Sequence, residues 1–234
     1  MAAQTGADSA AVRALAVIGS DLYVGGDFIK NWAATLSLNR IARYDTIGQA
    51  WHPLAENGIG GASSNVFALA VSGSDLYVGG LFIQTTDNTT PGLNATARYS
   101  GGAWSALAEN GLKKASAIGV VYALAVSPSG DLYVGGDFIK TIDNTTPNLN
   151  FIARYSGGVW SALNGHGLDS IVRAIAVTAT DLYAGGEFSA ASDSSVTALF
   201  FIARHGPGTT AVTLASFQAA PAFDLWAWLA GWLR

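Results

Sequence analysis

"DLYVGGDFIK" occupies residues 21–30 and recurs letter for letter at 131–140. "DLYVGGLFIQ" stands at 75–84 and "DLYAGGEFSA" at 181–190. The glycine pairs Gly25-Gly26, Gly79-Gly80, Gly135-Gly136 and Gly185-Gly186 therefore recur after 54, 56 and 50 residues. A fixed period of that size marks a repeat architecture and decides the fold before any single element is considered.

Working outward from the glycines, each unit carries its runs in a constant order. An apolar run comes first: "VRALAV" (12–17), "VFALAV" (66–71), "VYALAV" (121–126) and "VRAIAV" (172–177). The Gly-Gly segment follows after a short polar turn. Next come "IARYD" (41–45), "TARYS" (96–100), "IARYS" (152–156) and "IARHG" (202–206), and then "AWHPL" (50–54), "AWSAL" (103–107) and "VWSAL" (159–163). These runs are short, rich in Val, Ile, Tyr and Trp, and punctuated by Gly, Ser, Asn and Asp, which is the pattern of strands and turns. Each unit is predicted to be a four-stranded antiparallel sheet, apolar on both faces and unable to bury itself alone. Sheets of that kind stacked radially cover one another as a β-propeller.

The fold class expected is thus all-β: a propeller of four blades, or a four-blade part of a larger ring. Blades are expected at about 12–60, 61–114, 115–167 and 168–218, after a lead at 1–11 and before a tail at 219–234. The fourth unit lacks a Trp run, and "TTAVTLASF" (209–217) is expected to supply its outer strand. Within "DLYVGGDF", Leu22, Val24 and Phe28 share one face and Tyr23 and Asp27 the other.

An apolar strand ending in Gly-Gly, then a Tyr, then a Trp after a short turn resembles the kelch repeat of galactose-oxidase-type propellers. The resemblance covers roughly residues 12–206. It implies a propeller scaffold with Gly25, Gly26, Gly79, Gly80, Gly135, Gly136, Gly185 and Gly186 as structural positions. It also makes Trp51, Trp104 and Trp160 recurring packing residues. It does not carry over the copper chemistry of galactose oxidase, which needs a Tyr–Cys crosslink, because the chain has no Cys.

Composition narrows the function. Of the 234 residues, 50% are hydrophobic and only 12% are charged, with a net charge of −4. That balance favours a well-buried fold with a Thr/Ser/Asn-rich surface. No Lys/Arg-rich run is present, so the electrostatic footprint of a nucleic-acid binder is missing. No apolar stretch of transmembrane length is seen. The start, "MAAQTGADSA", carries no basic or apolar signal-peptide region. It is compatible with a cytoplasmic start, a mature form or a piece of a longer protein.

Repeated residues are scaffold by default, and function is expected where the repeats differ. Arg43, Arg98, Arg154 and Arg204 recur in the third run. Pairing is expected between these guanidinium groups and the acid after Gly-Gly, which is Asp27, Asp137 or Glu187, with Leu81 in unit two. Asp87, Asp143 and Asp193 each fall seven residues after their Gly-Gly. They read as Asx turns closing variable loops, with Ca²⁺ coordination as the alternative. Asn88, Asn94 and Asn144 stand in N-glycosylation triplets. His52, His166 and His205 read as surface or turn residues. No nucleophile, zinc or phosphate-loop motif occurs, and no cofactor is expected.

The tail "AAPAFDLWAWLAGWLR" (219–234) concentrates Trp226, Trp228 and Trp232. It is expected to dock on this ring or on a second copy. The leading functional expectation is a non-catalytic binding or scaffold module of a secreted or surface-exposed microbial protein. Its ligand, protein or carbohydrate, would lie on the loop rim. A self-assembling structural subunit and a carbohydrate-active enzyme are the alternatives.

Overall fold

The structure is a computed structural model that describes residues 10–61, 63–197, 199 and 201–206. Its strands fall on the repeated runs. Unit one is a sheet of Val12–Ile18, Asp21–Gly26, Ile41–Asp45 and Ala50–Pro53, paired in chain order. Unit two orders Asn65–Ser72, Asp75–Leu81, Thr96–Ser100 and Ala103–Ala106 in the same way. Unit three does so with Val120–Val126, Leu132–Asp137, Ile152–Ser156 and Val159–Ala162. Unit four shows Val172–Val177, Leu182–Gly186 and Ile202–His205. The run at 209–217 and the Trp-rich tail lie outside the described residues.

All pairings within these sheets are antiparallel, and local chemistry sets the turns. Between Ser100 and Ala103 the two-residue loop is Gly101-Gly102, with φ of 57° and 86°. Two successive positive φ values make the hairpin turn whose twist matches the strands, and glycine adopts them without a side-chain clash.

The sheets stack face to face in chain order. The first strand of unit one packs on that of unit two, unit two on unit three, and unit three on unit four. The first strands of units one and four form no comparable packing. The cores lie between units: Ile59, Val66 and Phe82 between one and two, Leu112, Val121 and Phe138 between two and three, Val172, Phe188 and Leu199 between three and four. Phe82, Phe138 and Phe188, each two residues past its Gly-Gly, are fully buried. Burial of each contributes about 2–3 kcal/mol. The result is an all-β, propeller-like array.

Each sheet has a knob face and a socket face. In the first strand of unit two, Val66, Leu69 and Val71 pack toward unit one, while Ala70 joins the core toward unit three. On the second strand the glycines form the socket. A Cβ on Gly25 would lie 2.5 Å from Val66 Cγ1 and 3.5 Å from Leu69 Cδ1. On Gly135 it would lie 2.5 Å from Val172 Cγ1 and 2.8 Å from Ile175 Cδ1. Gly79 meets Val121 and Leu124 in the same manner. The first glycine of the pairs in units one to three thus clears room for the next unit's Val.

Two further ties hold neighbours together. Trp104 Nε1 donates to the Ala55 carbonyl and Trp160 Nε1 to the Ala108 carbonyl, both at 2.9 Å. Those carbonyls belong to short 3-10 turns, Ala55–Asn57 and Ala108–Asn110, that end the preceding unit. From the same turns Glu56 accepts from Thr90 Oγ1 at 2.6 Å, and Glu109 from Thr146 Oγ1 at 3.0 Å. The variable loops after the second strand are thereby clamped by the unit before them. Small sheets strengthen the clamp, pairing Ile59–Gly60 with Gln84–Thr85 and Leu112–Lys114 with Lys140–Thr141.

Candidate functional site

In every unit the first strand departs from regular pairing at one place. Val12 pairs with Gly26 and Ala14 with Gly25, so Arg13 is an extra residue. The same shift isolates Phe67 between Val66 and Ala68, Tyr122 between Val121 and Ala123, and Arg173 between Val172 and Ala174. These are β-bulges, which re-aim a side chain and bend the strand. They also explain the Gly-Gly pair's second member. A Cβ on Gly26, Gly80, Gly136 or Gly186 would collide with the backbone carbonyl of Ala11, Asn65, Val120 or Ile171, just ahead of the bulge. The added residue has a second effect. It brings Val66 and Leu69, three apart, onto one face, where uninterrupted alternation would separate them.

The four bulged side chains meet across unit boundaries. The Arg13 guanidinium lies 5.5 Å from the centre of the Phe67 ring. Phe67 and Tyr122 stand 5.5 Å apart with planes tilted by 39°. The Arg173 guanidinium lies 4.3 Å from the centre of Tyr122. Both distances place a cation within attractive range of a π face. The rungs run Arg, Phe, Tyr, Arg across all four units. Arg13 and Arg173 are 44% and 47% exposed, and the two rings are half-buried.

Acids after Gly-Gly flank this ladder. Asp27 bonds Arg13 at 2.8 Å and also accepts from the Ala11 amide. That amide first, and then Arg13, holds its carboxyl below the usual carboxylate range. Glu187 bonds Arg173 at 2.6 Å and raises its guanidinium further. In unit three, where the bulge carries Tyr122, Asp137 is taken by Lys114 at 2.8 Å. A surface cleft lined by Ala10, Asp27, Arg40, Ser63 and Asn65 opens next to the first rung.

The acid–Arg pairing expected from sequence is therefore corrected. Arg43 reaches Asp21, not Asp27, at 2.7 Å. Arg98 bonds Asp75 and Arg154 bonds Asp131, each at 2.9 Å, and Arg204 bonds Asp181 at 2.8 Å. All four arginines thus tie the second strand to the third through the Asp that opens "DLY". Ser100 and then Arg98 hold Asp75 below the ordinary range, and Ser156 and then Arg154 do the same for Asp131.

Asp87, Asp143 and Asp193 turn onto their own loops. Each accepts the backbone N–H two residues on, from Thr89, Thr145 and Ser195 at 3.0, 2.9 and 2.8 Å. Among the described residues, no three ligating side chains gather. Asn88 and Asn144 are exposed, while Asn94 donates to the Asn110 carbonyl at 2.7 Å. His166 sits in a 3-10 turn. His205, expected at the surface, is half-buried, and burial lowers its pKa. Trp51 departs from its copies: Trp104 and Trp160 are 6% and 2% exposed, Trp51 39%.

In the sequence the bulge residues stand undistinguished inside the first runs, as Arg13, Phe67, Tyr122 and Arg173. The signal was present, because the second letter of "VRALAV" and its copies takes three different residue types while the rest of the run is nearly constant.

No protein-family model matches the chain, and no curated protein does. Solved structures do. The extracellular domain of a hybrid two-component system from B. thetaiotaomicron matches with a TM-score of 0.57 at 15% identity, over 89% of this chain and 22% of that one. The computationally designed protein Ika4 matches with a TM-score of 0.45 at 16% identity, over 78% of this chain and 89% of its own. YCF48 bound to D1 peptide matches with a TM-score of 0.44 at 14% identity, over 90% of this chain and 53% of its own. The first likeness is one of fold, and the chain spans about a fifth of that relative's length. Among the described residues, no helix is long and apolar enough to cross a membrane.

Proposed function

We propose that this chain is a non-catalytic binding and scaffold module, a β-propeller of four kelch-like units from a secreted or surface-exposed microbial protein. The observation that carries the reading is the bulge ladder. Arg13, Phe67, Tyr122 and Arg173 occupy the position that changes within the repeated first run, and bulges turn them into one continuous stripe. Its two half-buried rings and two exposed guanidinium groups suit a protein segment. Apolar side chains would lie along Phe67 and Tyr122, and acidic ones would meet the unused donors of Arg13 and Arg173. This moves the ligand from the loop rim, whose loops in units two to four are engaged by the preceding unit's turns, to the first strands.

The enzyme alternative needs two carboxylates facing a cleft in different protonation states. The ladder's acids are each held by Arg or Lys instead. The test is a peptide array and a glycan array probed with the full chain and with the Phe67→Ala/Tyr122→Ala variant. Peptides that bind the full chain should lose about tenfold or more in affinity to the variant, equivalent to about 1.4 kcal/mol. Binding that survives both substitutions, or signal on glycans alone, would overturn the reading.

A further inference from the structure

The three internal boundaries and the two free faces are written in the same residues. At each boundary a Val and a Leu or Ile fill a glycine socket: Val66 and Leu69 on Gly25, Val121 and Leu124 on Gly79, Val172 and Ile175 on Gly135. The three Val knobs are fully buried. In unit one the matching knobs are Val12, Leu15 and Val17, and they are 58%, 61% and 62% exposed. Val12 borders an apolar recess that reaches Val24, Trp32 and Trp51. In unit four the matching socket is Gly185, and among the described residues beyond its chain neighbours the nearest atom to its would-be Cβ is the Phe201 carbonyl at 3.8 Å. Tyr183, whose copies Tyr23, Tyr77 and Tyr133 pack on the following unit's core, is exposed there, as is Phe201.

Among the described residues, one chain thus presents an open knob face at one end and an open socket face at the other. We infer that a second copy of this chain covers them, head to tail, with Val12 and Leu15 of one copy seated on Gly185 of the next. The occupant is argued from the chain's own construction. The interface so formed continues the one that already joins units one to two, two to three and three to four. Both halves of it are carried by every copy, so no other partner is required. Because the two faces differ, the contact is heterologous, and it closes into a ring or runs on as an open chain. The ladder would continue across it, since Arg13 and Arg173 end the stripe on either side.

The chain has no Cys, which permits a test specific to register. A Cβ on Gly25 would lie 3.2 Å from Val66 Cβ, and one on Gly135 would lie 3.1 Å from Val172 Cβ. Those spacings need only a small adjustment to reach a disulfide's Cβ separation of about 3.5–4.5 Å. Full-length Val12→Cys and Gly185→Cys chains are mixed under mild oxidation. Both sites are open, so both substitutions leave the fold intact, which far-UV circular dichroism checks. The expected product is a covalent one-to-one pair between the two variants, abolished when Leu15→Asp is added to the Val12→Cys chain. In parallel, the unmodified chain should sediment above its single-chain mass of 24.1 kDa. Leu15→Asp alone should return it to that mass. The inference is overturned if the unmodified chain stays at 24.1 kDa up to its solubility limit. It is equally overturned if no mixed pair forms, or if Val12→Cys chains link to each other as readily as to Gly185→Cys chains.

Discussion

Removing the indole of Trp160 should separate the packing of units from the stability of a single sheet. Trp160 is 2% exposed, donates to the Ala108 carbonyl of the preceding unit at 2.9 Å, and packs at a tilt against Tyr155 with ring centres 4.9 Å apart. Trp160→Ala deletes a buried aromatic side chain, which costs about 3–5 kcal/mol. Trp160→Phe keeps most of the apolar contact and the aromatic neighbour but loses the donor, at about 1–2 kcal/mol. For a chain of this size, 1 kcal/mol shifts the melting temperature by about 2–4 °C. The two variants should therefore melt about 6–20 °C and about 2–8 °C below the parent. Trp51 is the matched control, because it is the copy of Trp160 in unit one and is 39% exposed. With Gly185→Val added to keep copies apart, Trp51→Ala should cost no more than about 1 kcal/mol. The assay is calorimetry with near-UV circular dichroism, which follows aromatic packing. Equal losses for Trp51→Ala and Trp160→Ala in that background would refute the reasoning, since the two sites would then be equally enclosed.

Acidification should lower stability monotonically. His205 has a depressed pKa, so the unfolded chain takes up its proton first as pH falls through about 6.5, and stability drops from there. Asp75, Asp131 and Asp27 are also depressed, so their contributions are present above about pH 4 and are lost below it. A melting temperature that rises between pH 6 and 3 would contradict both assignments. For the Asx loops, EDTA should leave the melting temperature unchanged, whereas Asp143→Ala should lower it by a few degrees through the loss of its bonds to Thr145 and Thr141. A chelator-induced drop reversed by Ca²⁺ would reinstate the metal reading.

How far the sequence could be read depended on whether a feature was local. The strands were legible because "VRALAV", "LYVGG" and "IARY" each carry their own propensity and turn signals. The acid partner of Arg43 was not, because it depends on register. Tyr23 faces Arg43 and Asp21 faces Asp45, so Asp21 sits diagonally two positions away on the same face. Asp27 lies beyond Gly25, the last residue of that pairing. The bulges were hidden for the same reason. Nothing in the order Val-Arg-Ala tells that Arg13 is skipped until Gly25 and Gly26 are placed opposite Ala14 and Val12. The free faces could not be seen either. Val12 and Val66 open near-identical runs, and only their neighbours make one exposed and the other buried.

The central claim is that successive units nest a Val knob in a Gly socket. The most direct measurement is a double-mutant cycle between Gly25→Ala and Val66→Ala, residues of different units. Gly25→Ala places a Cβ 2.5 Å from Val66 Cγ1, an overpacking that should cost about 1–3 kcal/mol. Val66→Ala opens a buried site at a cost of about 2 kcal/mol. In the double variant the new methyl enters the space the valine left, so the account predicts a total smaller than the sum by about 1 kcal/mol or more. Losses that add to within about 0.5 kcal/mol would contradict it, because the two residues would then not touch.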